Sequence, residues 1–343
     1  MYEHNGRRYY VVDEHCHFWD ASPENQRNKY GEGFINCFYD YHRNLSPPEY
    51  VWPLEKYQKY TEEDFTHDLF EVGHVDRAIL QSTYLSDFYV DGFNTTQRNG
   101  ALARKHPDKL LVNGAWDPRH GEEGLKAFEE LHKEWDLKGV KLYTAEWNGS
   151  SKGWKLNDYW SYRYLEMTEE LGIKNVHVHK GPTIWPLNRD AFDVHDVDHA
   201  ASDFPGLNFV VEHCGLPRLE DFCWIATQEP NVYAGLAVVM PFIHSRPKYF
   251  GQVVGELLYW IGEDRIMFAS DYALWQPKWL VERFVDFQIP EDMQSELGTV
   301  STDQKKKILG LNAARLYGID VPEDLRVAEP ESVAVGSEPV SPA

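Results

Sequence analysis

The sequence predicts an α/β protein of the (β/α)8 TIM-barrel class, in which helices surround a closed ring of eight parallel strands. Eight short apolar runs rich in β-branched residues recur along the chain, and amphipathic stretches with a helical period separate them. Metal-binding and ionisable residues follow the same end of several runs, as they do at the active-site face of such barrels. A doubly wound open sheet is the alternative, but eight alternations and the placement of these residues favour the barrel.

The eight predicted strands are spread over most of the chain. They cover residues 9–15, 77–83, 110–116, 139–143, 175–179, 208–213, 232–238 and 265–271. Helices are predicted between them, and Thr61 begins one because its capping hydroxyl is followed three residues later by the acid Asp64. A closing helix over residues 301–319 is expected to end near Gly318.

We expect one barrel domain over residues 1–320, with one long insertion and a tail. The insertion, at about residues 18–60, follows the first strand and is rich in Tyr, Phe and Trp. A connection of this length is typical of a pocket-covering loop or of a contact surface, and the sequence leaves both open. Residues 321–343 are rich in Pro, Glu, Ser and Val, which predicts a disordered tail.

The charge and composition of the chain exclude several classes of partner. Its formal net charge of −21 disfavours nucleic acids and anionic membrane surfaces, because both attract basic proteins. No apolar run approaches the roughly 18 residues of a membrane span, and the N-terminus has no apolar signal region. The four cysteines form no C-x-x-C pair. We therefore expect a reduced, cytoplasmic protein that acts on a small molecule.

The first predicted strand ends in two histidines, His15 and His17, separated by one residue. Side chains two apart on a strand point the same way, so both imidazoles can face one point. By the same alternation Asp13 is expected to share their face, and Glu14 and Cys16 to face the helices. A His-x-His pair alone is a weak signal, since surface and core histidines are common.

Five strands place ionisable or ligating groups at one end of the predicted barrel, which core packing does not explain. Imidazole and carboxylate ligands suit zinc, iron, manganese or nickel. Lys141 lies in an apolar run, where a free ammonium group is costly, so it has either a chemical role or an ion pair with a buried acid such as Glu212. The groups beyond the first strand are Lys141, His177, His179, Glu212, His213 and Asp271.

The order of these groups resembles the amidohydrolase superfamily, especially its branch of decarboxylases and related hydrolases. The segment "NAARLYGI" also resembles the closing helix of that branch, and the resemblance extends over about residues 9–319. It implies one or two divalent metals per chain, with Lys141 as a carboxylated bridging ligand when there are two. His179 is the implied fifth-strand ligand and His177 its competitor. The implied metal ligands are His15, His17, Lys141, His179, His213 and Asp271, of which His213 and Asp271 are also the implied catalytic residues.

Three segments resemble a narrower group of amidohydrolase-related proteins: "KGVKLYTAEWNGSSKGWKL", "VHVHKGPTIWPL" and "FDVHDVDHAASDFP". These proteins are found beside bacterial alkane-type monooxygenases and are related to the hetero-oligomeric 2-aminoisobutyrate hydroxylase. The resemblance implies an iron/manganese centre that activates O2 to hydroxylate a small aliphatic substrate such as 2-aminoisobutyrate, in an oligomer with a like or related subunit. Two alternatives stay open: a mononuclear zinc hydrolase or decarboxylase of a small carboxylic acid, and a non-catalytic partner or maturation subunit of a monooxygenase.

Further residues at or just past the strand ends are weaker candidates for contacting substrate. Basic side chains can hold a carboxylate, and aromatic side chains can wall a pocket, although each aromatic can equally serve loop packing. We predict no organic cofactor. The candidates are Tyr143, His177, Lys180, Trp185, Arg218 and Trp275.

Overall fold

A ring of eight parallel strands forms the centre of the computed structural model, which describes residues 1–327. Each strand pairs in parallel with the next along the chain. An antiparallel hairpin that the sequence did not predict, β1 (Tyr2–His4) and β2 (Arg7–Tyr9), precedes the ring. The ring consists of β3 (Val12–Cys16), β4 (Arg77–Gln81), β5 (Leu110–Gly114), β6 (Gly139–Leu142), β7 (Asn175–His179), β8 (Asn208–Glu212), β9 (Val232–Gly235) and β10 (Ile266–Met267).

The first and last barrel strands are joined where the chain continues beyond β10. The backbone N–H of Glu14 donates to Phe268 O at 3.2 Å, and that of Asp271 donates to His15 O at 3.0 Å. These bonds satisfy backbone groups that an open sheet would leave at its edges. The predicted barrel is therefore confirmed, and its closure places Asp271 beside the histidines of β3.

Helices alternate with the strands and bury one face against the barrel. For example, Val253, Val254 and Leu257 on α10 are all buried. No helix within residues 1–327 is both long and apolar enough to cross a membrane. The helices are α1 (Lys29–Leu45), α2 (Leu54–Gln58), α3 (Glu62–Thr66), α4 (Thr96–Lys105), α5 (Gly121–Trp135), α6 (Tyr159–Glu170), α7 (His195–Asp203), α8 (Leu219–Gln228), α9 (Phe242–Ser245), α10 (Pro247–Ile261), α11 (Pro277–Asp286), α12 (Gln294–Leu297), α13 (Thr302–Lys306) and α14 (Asn312–Tyr317).

The predicted insertion at residues 18–60 is an ordered aromatic unit that contains α1 and α2. Its centre is Trp19, whose ring stacks on Phe93 with centroids 5.3 Å apart and meets Tyr57 edge-on at 5.2 Å. Trp19 Nε1 also donates to Tyr57 O at 2.8 Å. Burial of these large rings stabilises the insertion and fixes α1 against the rest of the chain.

The closing helix and the residues after it cover the N-terminal ends of the strands. The predicted helix over 301–319 is observed as α13, a π-helical segment and α14, and Gly318 ends it with a φ of 62°. Residues 321–327, which the sequence assigned to the tail, come after this helix. Leu325 among them is only 3% exposed, because it packs at the N-terminal end of the barrel. The rest of the predicted tail, residues 328–343, lies outside the described residues.

Thr61 caps α3 as predicted, and its loss has a measurable consequence. Thr61 Oγ1 accepts from Asp64 N at 3.0 Å, and Asp64 Oδ2 accepts from Thr61 N at 3.0 Å. We expect Thr61→Ala to lower the free energy of unfolding by about 1 kcal/mol in denaturant titrations, because the Asp64 N–H loses its acceptor. Thr66→Ala on the same helix removes only an intrahelical hydroxyl bond and is expected to change it by less than about 0.5 kcal/mol; equal effects would refute the capping role.

Candidate metal centre

All six predicted metal ligands line one small cavity at the C-terminal ends of the strands. The cavity has a volume of about 20 Å³, which is room for about one water molecule or ion. All six residues are buried. The cavity is lined by the ligand candidates His15, His17, Lys141, His179, His213 and Asp271, and by Phe34, Phe38, Thr83, Phe93 and Tyr143.

The first group of ligands consists of His15, His17 and Asp271. The two Nε2 atoms lie 3.0 Å apart, and Asp271 Oδ1 is 3.2 Å from His17 Nε2 and 3.6 Å from His15 Nε2. Asp271 has a φ of 57°, which costs a non-glycine residue free energy and is concentrated at functional sites. These donor atoms are close enough together to bind a single cation.

The second group consists of His179, Glu212 and His213. His179 Nδ1 lies 3.0 Å from His213 Nε2 and 3.9 Å from Glu212 Oε2. His213 has a φ of 62°, a second left-handed conformation at this site. The sequence had placed Glu212 among the groups at this end of the barrel and suggested it as an ion-pair partner of Lys141, but not as a metal ligand. Its position immediately before His213, at the end of an apolar run, was the signal that it belongs to the site.

Four imidazoles are oriented so that one nitrogen of each faces the other ligands. For three of them the outer nitrogen hydrogen-bonds with a backbone carbonyl oxygen and so carries the proton, which leaves the lone pair on the inner nitrogen. Such outer contacts are typical of metal-binding histidines. These contacts are His17 Nδ1 with Gln81 O at 2.9 Å, His179 Nε2 with Pro182 O at 3.3 Å and His213 Nδ1 with Ala237 O at 3.0 Å. His15 Nδ1 lies 3.2 Å from Glu212 Oε1 but forms no hydrogen bond within residues 1–327.

The electrostatics of the site favour neutral imidazoles. Burial, followed by the charge of Lys141, lowers the pKa of His15 well below its usual range. Burial and the neighbouring His213 do the same to the pKa of His179, and burial also lowers the pKa of His213. Neutral imidazole is the form that binds a metal, so the donors fit a divalent cation without a proton having to leave.

Lys141 forms a buried ion pair with Glu212, the alternative that the sequence left open. Lys141 Nζ contacts Glu212 Oε2 and lies 3.4 Å from His15 Nε2. Burial raises the pKa of Glu212, but Lys141 and the neighbouring histidines outweigh it and lower the pKa to about 2. A carboxylated Lys141 would place a second anion beside Glu212, so a bridging role requires metal cations between the two groups.

The expected orientation of Glu14 is wrong, because the pairing of β3 with β4 shifts register between Asp13 and Cys16. Glu14 points into the barrel, where its Oε2 lies 3.3 Å from His177 Nδ1. Cys16 faces outward as expected, with its sulfur 3.3 Å from Ile79 O. Strict alternation fails at such an irregularity because one residue is inserted without a partner on the facing strand.

His177 and His179 have different positions in the barrel. His177 hydrogen-bonds through Nε2 with Tyr317 Oη at 2.7 Å, so it belongs to a polar network that reaches α14 below the cavity. His177 does not line the cavity, whereas His179 does. The structure thus favours His179 as the ligand from β7, and it does not bring His177, a candidate for contacting substrate, to the cavity.

Tyr143 and Trp275 lie beside the cavity, as expected of substrate-contacting residues. The Tyr143 ring centroid is 4.7 Å from that of His179, and its buried hydroxyl has no hydrogen-bond partner among residues 1–327. Trp275 is fully buried and, with Asp271, lines a small adjoining space. Both side chains are therefore available to shape the pocket.

The structure does not bring the three remaining candidates to the cavity. Lys180 is buried in an ion pair with Asp196, with Nζ 2.7 Å from Oδ1. Trp185 is 50% exposed and packs against α1 instead. The Arg218 side chain is 54% exposed, so it faces outward next to α8. These residues follow strand ends in sequence, but the loops direct them away from the cavity.

Helix α1 covers the cavity with Phe34 and Phe38. A third ring, Phe93 from the loop after β4, packs edge-on against Phe34 at 5.4 Å and completes the apolar wall. Gly33 permits this position, because a Cβ there would come within 2.0 Å of the Trp185 ring. The insertion therefore shields the ligands from solvent, which was one of the two roles open for it.

The amidohydrolase family model matches residues 12–319 of the chain. The fold is similar to that of an uncharacterised TIM-barrel protein from Bordetella bronchiseptica (19% identity, TM-score 0.66, covering 90% of this chain and 99% of that one). It is also similar to that of a manganese-bound 5-carboxyvanillate decarboxylase from Novosphingobium aromaticivorans (15% identity, TM-score 0.55, covering 90% of this chain and 96% of that one). A 2,6-dihydroxybenzoate decarboxylase from Rhizobium is similar as well (13% identity, TM-score 0.59, covering 92% of this chain and 100% of that one). None of the curated proteins compared with the chain matched it.

Proposed function

The chain belongs to the amidohydrolase family, and we propose that it is a metal-dependent enzyme that hydrolyses or decarboxylates a small carboxylic acid. The observation that carries the proposal is that four imidazoles, those of His15, His17, His179 and His213, and the carboxylate of Asp271 line one buried cavity. We assign His15, His17, His179 and Asp271 as the ligands of one metal. A divalent metal there would acidify a bound water and polarise a substrate oxygen. The decarboxylases of similar fold, one with bound manganese, support this chemistry.

The walls of the cavity indicate the size and polarity of the substrate. Phe34, Phe38 and Phe93 form an apolar cover over the ligands, so the reacting group lies in a desolvated space. The hydroxyl of Tyr143, which has no hydrogen-bond partner within residues 1–327, can donate a hydrogen bond to a substrate carboxylate. Little space is left above the ligands, which favours a small substrate or one that displaces α1.

His213 is placed to transfer a proton in this reaction. Its Nδ1 donates to Ala237 O at 3.0 Å, so Nε2 is the basic nitrogen and faces the cavity. Burial lowers the pKa of His213, so the side chain starts as a neutral base at pH 7. With a single metal on the first group and His179, His213 is free to take a proton from water and return it to the product.

A second candidate is a dinuclear oxygenase that hydroxylates a small aliphatic substrate such as 2-aminoisobutyrate, together with a related subunit. The complete second group, His179, Glu212 and His213, favours it. The rings of His15 and His213 lie 5.8 Å apart, which suits two metals about 3.5–4 Å apart. The mixed nitrogen and oxygen donors suit iron and manganese.

Metal content and gas exchange distinguish the two candidates. We expect about one divalent metal per chain by elemental analysis, together with anaerobic turnover of small carboxylic acids, detected as released CO2 or as hydrolysed product. A chelator should abolish this turnover, and manganese or zinc should restore it. Two iron or manganese ions per chain with substrate-dependent O2 uptake would favour the oxygenase. A metal-loaded protein that turns over no substrate in either assay would refute both and point to a non-catalytic subunit.

A further inference from the structure

A second cavity, separate from the metal centre, lies between the loops that follow β4, β5 and β6 and the inner side of α5. Its volume is about 300 Å³, at the lower end of the range for small-molecule sites. None of the metal ligands lines it. Five aromatic side chains contribute to its wall: Tyr84, Trp116, Phe128, Trp147 and Tyr164.

Three carboxylates, Asp87, Asp117 and Glu146, also line this aromatic cavity. Asp117 is neutralised by Arg119, which binds both its oxygens at 2.8 and 2.6 Å. Asp87 Oδ2 accepts from a backbone N–H at 2.9 Å on the exposed side. Glu146 forms no salt bridge with any group in residues 1–327. The backbone N–H of Ser86 donates to its Oε1 at 3.2 Å, and the backbone of Leu85 also hydrogen-bonds with it.

The Glu146 carboxylate is therefore available to pair with a cation. Burial and the nearby Asp117 raise its pKa to about 8, which reflects how poorly its ionised form is compensated. Aromatic walls reject most polar ligands but attract cations through the faces of their rings. Lys152 places its ammonium 3.2 Å from the centre of the Trp147 ring, so one face of this indole is already occupied by a cation of the chain itself.

We propose that this cavity binds a small organic ammonium ion, with its charge against Glu146 and its alkyl body against Trp116 and Trp147. The carboxylate and the ammonium group would form a charge-assisted hydrogen bond, and the indoles would exclude water from it. Trp147 Nε1 is buried without an acceptor in the described part of the chain, so an amine that also carries an oxygen would gain a second contact. The site is independent of the metal centre and of the reaction proposed for it.

Titration of the full-length protein with n-butylammonium chloride, followed by calorimetry at constant ionic strength, tests the site. We expect saturable binding that is at least about tenfold tighter than that of the neutral isostere 1-butanol. Glu146→Gln keeps the shape of the side chain and should weaken binding about tenfold or more. Glu170→Gln, the same change at an exposed position on α6, should leave the affinity unchanged. Chelator-treated and metal-loaded protein should bind the probe equally.

Trp147→Leu provides a second variant, should Glu146→Gln impair folding in thermal unfolding controls. It should weaken binding of the probe about threefold or more, because the alkyl chain of the probe loses the aromatic ring that it packs against. The proposal would be overturned by absence of saturable binding, by equal binding of 1-butanol, or by unchanged affinity in the folded variants. Displacement of the probe by millimolar magnesium chloride would instead identify an inorganic cation site and would also overturn it.

Discussion

Replacing His15 with alanine is expected to empty the metal centre and to abolish turnover. Nε2 of His15 lies 3.0 Å from His17 and 3.6 Å from Asp271, and its Nδ1 lies 3.2 Å from Glu212 of the second group. Loss of an outer-shell partner alone costs about 10- to 100-fold in metal affinity, so loss of a direct ligand should cost more than about 100-fold. Elemental analysis after dialysis against metal-free buffer measures the effect.

The matched control is His195→Ala. His195 is on the surface of α7 with its side chain 70% exposed, and it lines neither the metal cavity nor the aromatic one. This variant should keep its metal and its activity, while circular dichroism should show both variants folded. Wild-type metal content in a folded His15→Ala protein would remove His15 from the ligand set. Loss of only one of two metals would assign His15 to one ion of a pair.

Much of the metal centre was predictable, because strand periodicity and the order of the strands along the chain indicate which residues lie at the C-terminal ends of the strands. Each barrel strand is a short apolar run, and in a parallel barrel all carboxyl ends meet at one face. A ligand at the end of a strand, or a few residues past it, is therefore expected near that face. His179 ends β7, His17 and His213 immediately follow β3 and β8, and Asp271 lies four residues past β10; all four line the cavity.

The parts that were not predictable depend on contacts distant in sequence. Glu14 turns inward at a register shift in β3, where that strand also bonds to residues after β10, and no local pattern signals this. Lys180 follows the end of β7 directly but is held by Asp196, and Arg218, six residues past β8, faces outward. Side-chain direction in loops is set by tertiary packing, which a one-dimensional pattern does not contain.

Helix α1 illustrates the same limit. The aromatic content of residues 18–60 predicted a packed or contacting segment, but not which surface it would cover. The side chains that decide this are Phe34 and Phe38, four residues apart on one helix face, and their partner Phe93 is more than fifty residues away. Hydrophobic burial drives such packing without specifying the partner, so only the folded chain shows that α1 covers the metal ligands.

Removing the charge of Lys141 is expected to have the largest effect on stability. Lys141 and Glu212 are both fully buried, and breaking such a pair leaves one charge without a partner. We expect Lys141→Met to lower the free energy of unfolding of the chelated protein by about 3–5 kcal/mol. Lys305→Met is the matched control, because Lys305 is also buried but donates to the carbonyl oxygen of Val285 at 2.8 Å. Its loss leaves no buried anion without a partner, so it should lower the free energy of unfolding by only about 1 kcal/mol.

The double variant Lys141→Met/Glu212→Gln separates an ion pair from a metal bridge. If the two side chains act mainly on each other, the second change restores most of the lost stability, because neither member of the pair is then a buried charge without a partner. Additive losses in the chelated protein would contradict the pair. Metal content then gives an independent answer, since a bridging Lys141 predicts that Lys141→Met loses one of two bound metals. If Lys141 is instead only the ion-pair partner of Glu212, Lys141→Met should not lose a metal. Metal cations would replace the missing ammonium beside Glu212, and adding metal should recover part of the lost stability.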